Sequence, residues 1–230
     1  MTVPVAWPEP DARNARMVQL QLERSWHGHT IDDARVLDAF RRVDRAWFVP
    51  DEFQHQAYDD HPLPIGGGQT ISQPWIVAHQ LQLLRLRGHE RVLEVGTGCG
   101  YVTALLAGLA QEVWSIERLA PLHAAACSVL LDRLACPNIH LRLGDGSVGW
   151  PEAAPFDAIL VAAAAPTIPR PLVEQLAVGG RLCLPVEEDL QPGDQRMTLV
   201  VRTGPAADNL RTERHGGCRV VRLIGAAGWA

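Results

Sequence analysis

The sequence predicts a doubly wound α/β fold, a mainly parallel sheet with helices on both faces, preceded by a helical N-terminal extension. Three observations carry that expectation. Short apolar runs alternate with helical patterns from Arg91 onward. A turn with glycine at every second position, Gly96-Thr97-Gly98-Cys99-Gly100, separates the first of those runs from the helix behind it. And 230 residues, 47% of them hydrophobic, suffice for one globular domain that buries a sizeable core without a metal or a disulfide.

Along the chain, residues 1–16 show little periodicity and are expected as a loose arm. The single domain over 17–230 then divides into a helical part with a long loop (17–90) and a sheet (91–230). Val18, Leu22 and Trp26 recur at helical spacing. Thr30-Ile31-Asp32-Asp33 reads as a capping box opening a helix to about Val43, with Val36, Leu37, Phe40 and Val43 as its apolar stripe. Residues 62–74 hold too much Pro and Gly for a regular element. Pro74 suits the first turn of the next helix, in which Ile76, Val77, Gln80, Leu81 and Leu84 keep the spacing. Strands are expected at 91–95, 112–116, 139–143, 158–161, 181–186, 197–202 and 218–223, with helices at 101–110, 119–134 and 172–177. The acidic stretch Glu187-Glu188-Asp189 and the tail 225–230 carry no diagnostic pattern.

Composition excludes several chemistries. The charge is −5, and all 21 basic residues are Arg; the chain has no Lys. Schiff-base enzymes, pyridoxal-phosphate enzymes with their own Lys and P-loop ATPases all need that amine. Net acidity argues against a nucleic-acid partner held by phosphate neutralisation. The five cysteines contain no C-x-x-C pair and no zinc spacing, so inert thiols in a reducing compartment and no metal are expected. His27, His29, His55 and His61 crowd the N-terminal quarter without ligand spacing. Residues 1–10 lack a signal-peptide pattern, and the longest apolar stretch, residues 158–165, is too short to span a bilayer. A cytoplasmic protein with no membrane partner is the expectation.

The glycine turn is the first candidate site. Gly96, Gly98 and Gly100 let the backbone turn sharply and let a ligand approach closely. Gly100 comes one residue too early for a dinucleotide fingerprint. The next strand ends at Glu117, 21 residues past Gly96, where an acid can accept from a ribose diol. One strand later, Gly144-Asp145-Gly146 offers Asp145 to an adenine amino group, or simply an Asx turn. Glu94 stands where it can face an amino group. Three acids and no Lys suit a cationic sulfonium better than a pyrophosphate, so S-adenosyl-L-methionine is favoured over NAD.

Beyond that loop the residues resemble the protein-L-isoaspartate O-methyltransferases. The resemblance rests on Pro62-Leu63-Pro64-Ile65-Gly66 followed by Gly68-Gln69-Thr70-Ile71-Ser72-Gln73-Pro74, a block peculiar to that family. It continues through residues 92–101, Ser115-Ile116-Glu117-Arg118, Gly144-Asp145-Gly146, Pro155-Phe156-Asp157-Ala158 and Ala163-Ala164-Ala165-Pro166, covering roughly residues 17–225. It implies a Rossmann-like methyltransferase sheet. It also implies methyl transfer from S-adenosyl-L-methionine to the free α-carboxylate of L-isoaspartyl residues in proteins or peptides. The ester then closes to a succinimide whose hydrolysis returns some normal aspartate. It implies Glu94, Gly96, Gly98, Gly100, Glu117, Asp145 and Gly146 at the cofactor, Ser72 as the catalytic-site hydroxyl, and Thr70 and Ile71 at the substrate slot. From the bare residues, Ser72 serves equally as a cap for the helix that opens at Pro74. Trp75 can line the slot, and Cys99, where a Ser is common in the family, offers an oxidisable thiol. The same scaffold would serve an enzyme that modifies aspartate in one dedicated precursor peptide.

Overall fold

The computed structural model describes residues 7–25, 28–187 and 193–230; the expectations for Trp26, His27, Glu188, Asp189 and the first six residues lie outside the described residues. The chain begins with α1 (Ala12–Met17), capped by the Asp11 carboxylate and continued by a π-type turn over Val18–Leu22. The helix therefore starts five residues before the apolar spacing indicates, and residues 11–16 are not loose. Asn14 is fully buried, and its amide donates to Phe40 O at 2.7 Å. A polar anchor of this kind leaves no hydrophobic period to read.

Helix α2 (Ala34–Arg42) is capped by Asp33, which accepts from the Arg35 and Val36 N–H groups, so the cap lies three residues beyond the expected Thr30. Its stripe of Val36, Leu37 and Phe40 is buried, as is Val43 behind it. The stretch expected as a loop contains an antiparallel hairpin, β1 (Leu63–Gly66) and β2 (Gln69–Ile71). Gly66, Gly67 and Gly68 have φ of 92°, 59° and 72°. A two-residue turn with positive φ at both positions is the one that matches strand twist, and Gly67-Gly68 supplies it. α3 (Pro74–Leu84) follows with Pro at its first turn.

The sheet is built from β3 (Arg91–Val95), β4 (Glu112–Glu117), β5 (Ile139–Leu143), β6 (Phe156–Val161), β7 (Leu176–Glu187), β8 (Gln195–Arg202) and β9 (Leu210–Cys218), in spatial order β5-β4-β3-β6-β7-β8-β9. β5 through β7 pair in parallel, and β8 and β9 close the edge antiparallel. Between β3 and β4 runs α4 (Tyr101–Leu109), and between β4 and β5 runs α5 (Ala120–Cys127), extended by a π-type turn to Arg133. α6 (Arg170–Glu174) is shorter than expected and precedes β7, which absorbs the glycine pair Gly179-Gly180.

Two cores flank the sheet. Val92, Val113, Ala158 and Leu160 pack with α2, α3 and α4 on one face, while Leu93, Val95, Ile116, Ile159 and Val161 pack with Leu172 and Val173 on the other. Strands covered on both faces read as continuous apolar runs, which is why β3, β4 and β6 were legible. β9 was not. Its sequence, Leu-Arg-Thr-Glu-Arg-His-Gly-Gly-Cys, has no buried hydrophobic residue, and the strand expected at 218–223 begins where β9 ends. An edge strand buries too little to impose a pattern. The order of strands reverses between β3 and β6, and the crevice beyond their carboxyl ends is where such sheets bind ligands.

Candidate active site

A cleft opens at that crevice. Four parts of the chain contribute to its walls. The glycine turn contributes Gly96, Thr97, Gly98 and Cys99; the end of β4 contributes Glu117 and Arg118; the hairpin contributes Ile65, Gln69, Thr70, Ile71 and Ser72. Val221, Arg222, Leu223 and Ile224 close a further side.

The turn is shaped by hydrogen bonds and by φ. Gly96 N–H donates to Ile116 O at 2.9 Å, and Gly100 N–H to Thr97 O at 2.8 Å. Gly96, Gly98 and Gly100 sit at φ of 97°, 56° and 92°, in the region that side chains rarely adopt. A Cβ on Gly146 would lie 2.6 Å from Val95 Cγ1, so only glycine leaves the cleft floor open there. Glu117 is buried and is neither a solvated acid nor an Arg118 partner. Its Oε2 accepts from Gly98 N–H at 2.8 Å and its Oε1 from Leu119 N–H at 2.9 Å. Each oxygen retains a lone pair for a hydroxyl in the cleft.

Glu94 lies beneath the turn, fully buried and off the cleft lining. Thr103 and Ser115 hydroxyls donate to its Oε2 at 2.5 and 2.6 Å, while Oε1 has no partner among the described residues. Burial pushes this carboxyl up to about 8 against those two hydrogen bonds. An orphaned buried acceptor beside the glycine turn fits a ligand amino group. Asp145 also stands behind the lining. It accepts from Ser147 N–H and Ala226 N–H, both at 2.8 Å, so it forms the Asx turn and ties down the tail. Burial works to raise its carboxyl, but the Ala226 and Ser147 hydrogen bonds and the Arg118 charge outweigh it and hold the group low. The tail, patternless in sequence, is thus part of the site's frame; Ala227 N–H adds a bond to Ser147 Oγ at 3.0 Å.

On the acceptor side, Ile71 is buried, Ser72 half-buried and Thr70 exposed. α3 is not capped by Ser72. Asp60 does that work, accepting from Trp75 N–H at 2.9 Å and from the Gln73 amide at 2.9 Å. The Ser72 hydroxyl is thereby left for the cleft. Trp75 does not reach the slot; it is buried and stacks on His79 with ring centroids 5.0 Å apart. The half-buried Cys99 thiol at the cleft wall is pushed up to about 11 by burial, which keeps it protonated at neutral pH. His29 packs against His79 at 5.2 Å between centroids, and no metal-binding group of side chains occurs among the described residues.

Residues that sequence reasoning missed are Ile65, Leu119 and the 221–224 segment, together with Arg45 beneath the hairpin, whose Nη2 donates to Ser72 O at 3.2 Å. The prolines and glycines around Ile65 mask its strand; the others are placed by tertiary packing and hydrogen bonding.

Comparison with known proteins agrees with this arrangement. The profile of the protein-L-isoaspartate(D-aspartate) O-methyltransferases matches residues 15–227. A protein-L-isoaspartate O-methyltransferase of Trichlorobacter lovleyi is 49% identical over 220 residues, covering 95% of this chain and 96% of the relative. One from Anaeromyxobacter dehalogenans is 62% identical over 164 residues, covering 71% and 78%. The crystal structure of a Plasmodium falciparum protein-L-isoaspartate O-methyltransferase in complex with S-adenosyl-L-homocysteine superposes with a TM-score of 0.77 at 26% identity, covering 92% of this chain and 98% of that one. A profile that spans nearly the whole chain and relatives at this identity settle the matter: the chain belongs to the protein-L-isoaspartate(D-aspartate) O-methyltransferase family.

Proposed function

We propose that the protein transfers a methyl group from S-adenosyl-L-methionine to the α-carboxylate of L-isoaspartyl residues in proteins or peptides, the first step of repair through a succinimide. One observation carries this reading: the Gln69-Thr70-Ile71-Ser72 hairpin strand and the glycine turn with Glu117 line a single cleft. The residues fit the cofactor. Glu117 offers acceptors for its ribose hydroxyls, Glu94 places an unpartnered carboxyl oxygen beneath the turn, behind the lining, where its charge favours an amino group bound above, and Gly96, Gly98 and Gly146 leave room for close approach. Bound there, S-adenosyl-L-methionine supplies a methyl group activated by a sulfonium charge.

The chain's own work is then alignment. The acceptor carboxylate is ionised at neutral pH, so no general base is required. Ser72 donates one hydrogen bond that orients it, while Thr70 and Ile71 shape the slot and apolar walls shed water from the attacking oxygen. A cationic donor and an anionic acceptor account for a site that works without Lys. Five free cysteines and the lack, among the described residues, of a helix long and apolar enough to cross a membrane support a cytoplasmic setting. The test is methylation from labelled S-adenosyl-L-methionine of matched peptides carrying isoaspartate, aspartate or asparagine. Base-labile label confined to the isoaspartyl peptide is expected; label on the normal aspartyl peptide points instead to a dedicated-peptide enzyme.

A further inference from the structure

Arg45 is completely buried, yet no carboxylate lies within ion-pair distance of it among the described residues. Its two terminal nitrogens are spent on backbone carbonyls, while the buried Nε has no hydrogen-bond partner among the described residues. Nη1 donates to Ala57 O at 2.7 Å and weakly to Asp59 O at 3.5 Å; Nη2 donates to His61 O at 3.0 Å and Ser72 O at 3.2 Å. Residues 57, 59 and 61 lead into β1, and Ser72 leaves β2, so a single side chain holds both stems of the hairpin. Its own base is fixed: Arg45 N–H donates to the buried Asn14 Oδ1 at 3.4 Å, and Asp44 caps the turn that carries it.

A buried charge without a counter-ion is a costly way to hold a loop, and a well-packed apolar residue there would serve stability as well or better. What an apolar residue cannot do is fix carbonyl positions in a rigid fork. Asp60, which sits between two of the carbonyls that Arg45 holds, captures the Trp75 N–H and the Gln73 amide on the far side of Ser72. Ser72 is therefore pinned from both directions, with its hydroxyl directed to neither pin.

We propose that Arg45 is a positioning residue for methyl transfer, holding both stems of the hairpin so that the Ser72 hydroxyl meets the acceptor carboxylate at a constant place. This rests on the reading of Ser72 as the acceptor-side hydroxyl. Displacement of a reacting group by about 1 Å costs on the order of 100-fold in rate.

The experiment is a double-mutant cycle on the full chain, with R45K and R45M each made alone and combined with S72A. Turnover is measured on an isoaspartyl peptide, and S-adenosyl-L-homocysteine affinity by calorimetry. In R45K, kcat falls ~10- to 100-fold while S-adenosyl-L-homocysteine affinity is unchanged. In that background S72A costs little more, because the hydroxyl is already misplaced. R45M is expected to lose more; if it does not fold, R45K, which retains a charge and the aliphatic stem, still closes the cycle. Wild-type kcat in R45K, full additivity with S72A, or a parallel loss of S-adenosyl-L-homocysteine affinity overturns the proposal. Undiminished turnover in S72A alone overturns the underlying role of Ser72, and this proposal with it.

Discussion

Gly98 N–H donates to Glu117 Oε2 at 2.8 Å, tying the middle of the glycine turn to the end of the neighbouring strand. The acid that faces the cleft is thus also a brace for the turn beside it. Parallel pairing of β3 with β4 in register, Val95 opposite Ile116, sets the two within reach. The cleft wall at Glu117 and the shape of the glycine turn are consequently one structural unit.

Glu117→Gln should damage both roles. The amide removes the charge and turns an NH₂ toward one of two backbone donors. Hydrogen bonds to a charged group contribute about 1.5–3 kcal/mol. The expected result is S-adenosyl-L-homocysteine affinity weakened ~10- to 100-fold by calorimetry, with Tm slightly lower. Affinity within twofold of wild type would remove Glu117 from the cofactor site.

Glu94 makes stability pH-dependent in an unusual direction. Its folded pKa, about 8, lies above the ordinary value of 4.5. Between those values the folded state holds the proton that the unfolded state has lost, so this group's contribution declines as pH rises from about 4.5 to about 8 and is complete below that window. In Glu94→Gln that decline should disappear, making the ligand-free variant relatively more stable at pH 8. A pH–Tm profile parallel to wild type would contradict the assignment. Binding of an ammonium-bearing ligand should also release a proton from Glu94 near neutral pH, read as a buffer-dependent heat that the variant lacks.

Ser72→Ala should separate chemistry from cofactor binding. The lost interaction is one hydrogen bond to a carboxylate, so kcat/KM for an isoaspartyl peptide should drop ~10- to 100-fold. Since α3 is capped by Asp60, helix stability should not change. A marked fall in Tm would instead identify Ser72 as a structural cap.

Glu90 supplies the opposite control. It is buried at the turn before β3, where its carboxylate accepts from the Arg87, Gly88 and His89 N–H groups at 2.8–3.1 Å. Burial works to raise this carboxyl, but the Arg87 and Gly88 hydrogen bonds together hold it below its ordinary value. Its contribution is present above about pH 4.5 and is lost as the pH falls through the lowered folded value. Glu90→Ala should lower stability by about 2–3 kcal/mol at pH 7 in urea melts and less at pH 3, with turnover per folded molecule unchanged. Equal destabilisation at both pH values would show that the cost is not electrostatic.

The sequence by itself determined whatever is recorded within a few residues. Apolar runs at β3, β4 and β6 announce strands buried on both faces; Gly96, Gly98 and Gly100 announce a backbone at positive φ; residues 69–74 carry the family's own block. The hairpin turn is recorded locally too, in Gly67-Gly68, but the prolines at 62, 64 and 74 mask the strands beside it. Tertiary structure alone decided the frame around the site. Arg45 reaches carbonyls 12 to 27 residues away, Asp60 caps a helix 15 residues on, and Ala226 binds Asp145 across 81. Hydrogen bonds to main-chain groups leave no mark on the sequence at the partner's end, since every residue type offers the same carbonyl, and all but proline the same N–H. Side-chain pattern reports which faces are buried; where a buried polar group finds its partners is settled only when the chain folds.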